Sequence, residues 1–166
     1  MSHTHPFKPI FDKNSKILIL GSFPSVISRK FGFYYTNPQN RFWRVLAGIL
    51  NADVPESIDE KIKFLLSHHI AIYDAAISCE IEGSSDAKMS KIVPANLKPI
   101  FEEAKIRQVY ANGGKAYEIC KKYLEGEIIK ATKNEVIKLP STSPANAKFS
   151  LEKLAKEWSV IARALE

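Results

Sequence analysis

Four short strand-like runs, at residues 16–20, 70–74, 107–111 and 135–139, are separated by longer stretches whose apolar residues recur at three-to-four spacing. Strands joined through helical crossovers run parallel, and a parallel sheet must be covered on both faces. The pattern therefore predicts an α/β fold whose ligand crevice lies at the carboxyl ends of its strands, where polar turns gather. Two such turns stand out. The first run, ending at Leu20, passes into Gly21-Ser-Phe-Pro-Ser25 and a loop continuing through Tyr34, Tyr35, Asn40 and Arg41. The last run passes into Leu139-Pro-Ser-Thr-Ser-Pro-Ala-Asn146, and the two turns are expected to form opposite walls of one cleft.

Helices are expected after Asn40, a plausible N-cap for Phe42, Trp43, Val45, Leu46, Ile49 and Leu50, and after Ser57, where Ser57-Ile-Asp-Glu60 reads as a capping box. Further helices are expected at 94–104, from Gly114 through Tyr123, and at 150–165, where Leu151, Leu154, Trp158 and Ile161 share one face. Residues 74–90 read as a polar loop forming a third wall of the cleft. Residues 1–15 read as a lead-in segment, with His3 and His5 in a mobile terminus rather than in a metal site. No repeat or linker divides the 166 residues, so one domain over 1–166 is expected.

The net charge of +6 and a sequence pI near 9.2 favour a polyanionic partner. Cys79 and Cys120 stand alone, without a CxxC pair or a His at metal spacing, so free thiols and a reducing, cytoplasmic setting are expected. No apolar run approaches the ~20 residues of a membrane span, so a membrane role is not expected.

Ser22, Ser25, Ser141 and Ser143 lie in the two turns, but the last histidine is His69, so a Ser–His hydrolase has no base near the second turn. Gly113-Gly-Lys115 is too short for a phosphate-binding loop and reads as a helix start. Tyr34 and Tyr35 suit either a core or a surface that stacks on a nucleobase, while Phe42 and Trp43 read as core. Asn40 can cap its helix, orient a water in the cleft, or do both. Arg29, Lys30, Arg41 and Lys148 are candidate phosphate contacts whose plainer role is solvated surface.

Taken together, Gly21-Ser-Phe-Pro-Ser25, the Asn-Pro-Gln-Asn-Arg-Phe-Trp block at 37–43 and the Pro-Ser-Thr-Ser-Pro-Ala-Asn stretch at 140–146 resemble the uracil-DNA glycosylase superfamily, and most closely its hypoxanthine (deoxyinosine) glycosylase branch. The resemblance implies a three-layer α/β/α fold around a central four-stranded parallel sheet. It implies flipping of a deaminated base out of double-stranded DNA by a monomer, without metal or cofactor. In relatives the first motif holds an Asp or Asn that positions water. The matching residue here is Phe23, and the catalytic amide moves to Asn40, as in the hypoxanthine branch. The same carry-over makes Gly21, Ser22, Pro24 and Ser25 the active-site turn and puts Phe23, Tyr35, Ser78 and Cys79 around the base. It also assigns DNA contact to Ser141, Thr142, Ser143 and Pro144, with Arg29 and Lys148 as flanking cations. Uracil or mismatched thymine as the excised base, and a DNA-binding module of the same fold without catalysis, are the alternatives.

Overall fold

The computed structural model describes residues 2–81 and 89–166. In chain order these form β1 (Ser2–Thr4), β2 (Ile17–Gly21), α1 (Val26–Phe31), α2 (Phe42–Ile49), α3 (Ile58–Ser67), β3 (Ile70–Asp74), β4 (Ala76–Glu80) and β5 (Ser90–Pro94). The second half holds α4 (Lys98–Glu103), β6 (Gln108–Asn112), α5 (Gly114–Ile119), a π-helical turn (Cys120–Leu124), α6 (Glu125–Thr132), β7 (Ile137–Leu139) and α7 (Leu151–Ala164). Among the described residues no helix is long and apolar enough to cross a membrane. Cys79 and Cys120 are both buried and outside any disulfide, and burial pushes the Cys120 thiol up to about 12.

The four expected strands make one parallel sheet in the order β3-β2-β6-β7. Every residue of β2 and β3 is buried, as only a sheet covered on both faces permits, and this is why those strands read as unbroken apolar runs. A second, three-stranded antiparallel sheet, β1-β4-β5, departs from the sequence reading. Part of the expected 74–90 loop is strand β4, and residues 82–88 of that loop lie outside the described residues. Strand pairing there is carried by the backbone, and the polar stretch that follows Ala76-Ile-Ser-Cys-Glu80 made the whole segment read as loop. The lead-in is likewise structured: β1 pairs with β4, and Ile10 exchanges backbone hydrogen bonds of 2.9–3.0 Å with Ile72.

Within the loop expected after β2 lies the short helix α1. The Ser25 hydroxyl accepts the Ser28 N–H at 3.1 Å to start it, and Gly32, at φ 72°, ends it in the left-handed conformation that glycine adopts without strain. Helix α2 begins one residue later than an Asn40 cap would place it, with Arg41 in the N-cap position, and packs on α7, the Phe42 and Trp158 rings meeting at 5.9 Å and 88°. The expected helix at 94–104 is shorter, since Pro94 closes β5. The helix begun at Gly114 continues past Tyr123, through the π turn and α6, to Thr132.

Both loops beside the strand ends are tied down from the helical layer. The Trp43 indole N–H donates to the Tyr35 carbonyl at 3.2 Å, and the Trp158 indole N–H to the Pro140 carbonyl at 2.9 Å. Arg41 does more, and the solvated role that its sequence position suggested is overturned. Its guanidinium donates to the carbonyls of Ser143 (2.8 Å), Asn146 (3.1 Å), Thr142 (3.4 Å) and Phe149, and its backbone N–H also reaches the Thr142 carbonyl at 3.1 Å. A planar fork of five donors suits this task, whereas the three donors of a lysine ammonium radiate from a single point.

Arg41→Ala removes four side-chain hydrogen bonds at once and should lower stability by about 2–4 kcal/mol, read from the denaturant midpoint at unchanged slope. Amide exchange in residues 142–149 should rise more than in β2. Exchange that rises uniformly, or not at all, would show that the turn stands without the clamp.

Candidate active site

A cavity of about 1090 Å³ opens at the carboxyl ends of the parallel strands, and the last residue of each, Gly21, Asp74, Asn112 and Leu139, lines it. One wall is the turn after β2 with the start of α1, continued by Tyr34, Tyr35, Asn37 and Asn40; the other is the stretch from Lys138 to Asn146. The two turns singled out in the sequence thus face each other across one space.

At the floor, the buried Asp74 carboxylate accepts from the imidazole of His5, Nε2 to Oδ2 2.8 Å, the side chains being 4% and 1% exposed respectively. The rings of Phe7, Phe23, Tyr34 and Tyr73 surround His5 at 4.7–5.9 Å between centroids. The expectation that His5 belongs to a mobile terminus is therefore overturned, because β1 pairing carries it into the core. Burial first, and then the Asp74 charge, push the Tyr34 hydroxyl far above its ordinary value, and that hydroxyl donates to the Lys8 carbonyl at 2.7 Å. Gly21 is constrained at the same point. A Cβ there would lie 2.4 Å from Asp74 Oδ1 and 2.9 Å from the Tyr35 hydroxyl oxygen, so only glycine lets both groups close over the strand end.

Asn112 joins the floor to both walls. Its Oδ1 accepts the Thr142 backbone N–H at 3.1 Å, which fixes the orientation of the amide, since a peptide N–H only donates. Its Nδ2 then donates to Thr142 Oγ1 at 3.1 Å and to the Tyr35 hydroxyl at 3.3 Å. Tyr35 has φ 53°, unusual for a bulky side chain, and is held there by these contacts and by Trp43. Its ring stacks on Phe42 at 3.9 Å and 17°, so at most one face is left for a base.

Asn40 lines the cavity, and its Oδ1 accepts the Phe42 N–H at 2.9 Å, so the carboxamide is pinned at the start of α2 by one of its two carbonyl lone pairs. The turn after β2 is fixed through its backbone, where the Gly21 and Ser22 carbonyls accept from Ala75 and Ala76 at 2.6 and 3.0 Å. Phe23 is buried under Arg29, whose guanidinium carbon sits 5.7 Å from the ring centroid.

Other expected site residues fall elsewhere. Thr142 is wholly buried, so its side chain cannot press on DNA; it serves as the buried anchor of the turn that carries Ser141, Ser143 and Pro144. Ser78 and Cys79 lie on β4 and do not line the cavity, because the chain leaves the strand end by pairing rather than looping, and Cys79 is buried opposite His3. Arg29 and Lys148 also lie outside the lining, with Lys148 exposed beyond the second turn. Sequence reasoning overlooked Asp74, His5 and Asn112. Asp74 and Asn112 close their strands, which is the one signal that was available. Among the described residues no cluster of His, Cys, Asp or Glu could hold a metal ion.

The profile of the uracil DNA glycosylase superfamily matches residues 8–165. Two proteins named hypoxanthine DNA glycosylase are 31% identical: that of Methanosarcina acetivorans, with 95% of this chain and 96% of the relative covered, and that of Methanosarcina barkeri, with 92% and 94% covered. The solution structure of a uracil DNA glycosylase-like protein from Methanosarcina acetivorans superposes with a TM-score of 0.81 at 31% identity, over 99% of each chain. The chain belongs to the uracil DNA glycosylase superfamily.

Proposed function

We propose that this protein is a monofunctional DNA glycosylase that hydrolyses the N-glycosidic bond of deoxyinosine in double-stranded DNA. The observation that carries the reading is the meeting of Asn40 and Tyr35 in one cavity, between two turns locked to each other across the sheet. Relatives named hypoxanthine DNA glycosylase, similar along nearly the whole chain, support the choice of base. The net charge of +6 suits a polyanionic duplex.

An enzyme acting at a glycosidic carbon must take the base out of the stack, which costs a few kcal/mol and least for a weakly paired lesion. The flipped hypoxanthine enters the cavity and stacks on Tyr35, whose ring rests on Phe42 on its other side. As the bond from C1′ to N9 breaks, positive charge grows on the sugar and negative charge on the purine. Water adds its oxygen to C1′, and its proton goes to the departing base. A carboxamide is too weak a base to take that proton, so Asn40 orients the water, and the rate gain rests on position and electrostatics. The Asx-type bond to Phe42 is what keeps that amide from turning.

Ser141, Ser143 and Pro144, at the surface edge of the second wall, meet the DNA strand as a blunt ridge, with Lys148 beyond it and Arg29 on the opposite wall as phosphate contacts.

The test is base release from duplexes carrying a single deoxyinosine, deoxyuridine or mismatched thymine, read as alkali-labile breaks. Breaks at deoxyinosine are expected. Breaks at uracil alone would move the activity to the pyrimidine side of the superfamily, and binding without breaks would make the protein a recognition module. Asn40→Ala should lose about 100-fold or more in single-turnover rate while holding the duplex as tightly, a combination expected of a group that acts on the water. Tyr35→Ala should weaken capture of the flipped base by about 1–3 kcal/mol, the range measured for base–aromatic stacking, and unchanged kinetics would remove Tyr35 from the base site.

A further inference from the structure

His5 plays no part in the mechanism above, yet its side chain is 1% exposed and its ring is enclosed by four aromatic rings. Its two nitrogens have different partners. Nδ1 faces the Phe7 backbone N–H at 3.4 Å, and Nε2 faces Asp74 Oδ2 at 2.8 Å. A peptide N–H only donates, so Nδ1 is the acceptor and the ring is the neutral tautomer with its proton on Nε2. That proton goes to Asp74, whose side chain is 4% exposed and lines the cavity. The other oxygen, Oδ1, is the atom that a Cβ on Gly21 would strike, which places it over the strand end beside the Tyr35 hydroxyl.

We infer that His5 is a positioning residue for base selection, holding Asp74 as an acceptor-only carboxylate that receives the ring N–H of a deaminated base. This rests on the glycosylase reading. Deamination turns the ring nitrogen next to the altered carbon from an acceptor into a donor: N1 in adenine becomes N1–H in hypoxanthine, as N3 in cytosine becomes N3–H in uracil. A carboxylate without a proton accepts that N–H and repels the lone pair of the unmodified base, and a site built to pair one group rejects an analogue that leaves it unpaired. Were the imidazole to present a lone pair at Nε2, the carboxylate would need a proton between the two. It would then offer the cavity a carboxylic acid that can donate as well as accept, and the discrimination would fade. The Phe7 N–H prevents this by claiming Nδ1.

The experiment compares wild type, His5→Phe and His5→Gln in single-turnover excision of deoxyinosine, beside binding to a duplex with a stable abasic-site analogue. Phenylalanine keeps a ring in the aromatic enclosure and removes the donor, whereas the glutamine amide restores an N–H toward Asp74. His5→Phe should lose about 10- to 100-fold in rate with abasic-duplex binding unchanged, and His5→Gln should recover most of it. Equal rates in all three proteins, or equal losses in the two variants, overturn the role. Asp74→Asn should lower the ratio of hypoxanthine to adenine release by at least tenfold, because its amide can turn a donor toward the adenine lone pair, and an unchanged ratio also overturns the inference. Should His5→Phe fail to fold, the nitrogen NMR spectrum of the wild-type imidazole decides: a neutral Nε2–H tautomer supports the assignment, and an Nδ1–H tautomer or an imidazolium overturns it. Base release from no duplex at all would overturn the glycosylase reading and this role together, whereas release indifferent to His5 overturns this role alone.

Discussion

The grip of Arg41 on the turn after β7 is the interaction on which the cavity depends. Turns at the ends of parallel strands have no ladder partner, and their carbonyls need donors from elsewhere. One guanidinium supplies donors to four carbonyls spread over residues 142–149. Because Arg41 is covalently next to Asn40, the clamp that fixes one wall also sets the position of the candidate catalytic amide in the other. A rotation of α2 would move both, so the distance between Asn40 and the second turn is held by a single short lever.

Asn112 repeats this logic at the floor, where it engages Thr142 through both ends of its amide and reaches Tyr35 as well. Fully satisfied polar groups of this kind rigidify a buried site, whereas a partly satisfied network would be costly. The left-handed backbone of Tyr35 is sustained by the same contacts. The strain sits where a flat ring must be presented to the cavity, and the indole of Trp43, the hydroxyl contact of Asn112 and the ring of Phe42 together hold it in place.

What could be read from the sequence divides along physical lines. The parallel strands were legible because burial on both faces leaves unbroken apolar runs, and the cleft was legible because Gly, Pro and Ser mark the turns that end them. Helix α1 escaped notice although its Ser25 cap and Gly32 stop are both ordinary signals, since six residues offer too few apolar positions to show a period. Strand β4 escaped because its pairing lies in the backbone. The site residues that escaped share one property. His5 and Asp74 are 69 residues apart, and Asn112 and Thr142 are 30 apart, so only the topology brings them together. Ser78 and Cys79 were drawn toward the base by analogy with a loop, and strand pairing carries them away from it.

The floor also gives Phe23 a structural part, because its ring packs beside the buried His5 side chain. A carboxylate at position 23 would bring a second negative charge to the cavity that Asp74 also lines, and like charges repel there. With Phe23 there instead, Asp74 is the one acidic residue among the strand-end residues that line the cavity, and its hydrogen-bond partner is the imidazole of His5. The rings of Phe23 and His5 meet at 5.8 Å and 84°, the edge-to-face arrangement that aromatic rings favour. Phe23 in the first turn and the burial of His5 against Asp74 are then two sides of one arrangement: the apolar ring helps to enclose the imidazole, and the enclosed imidazole meets Asp74 in a single hydrogen bond.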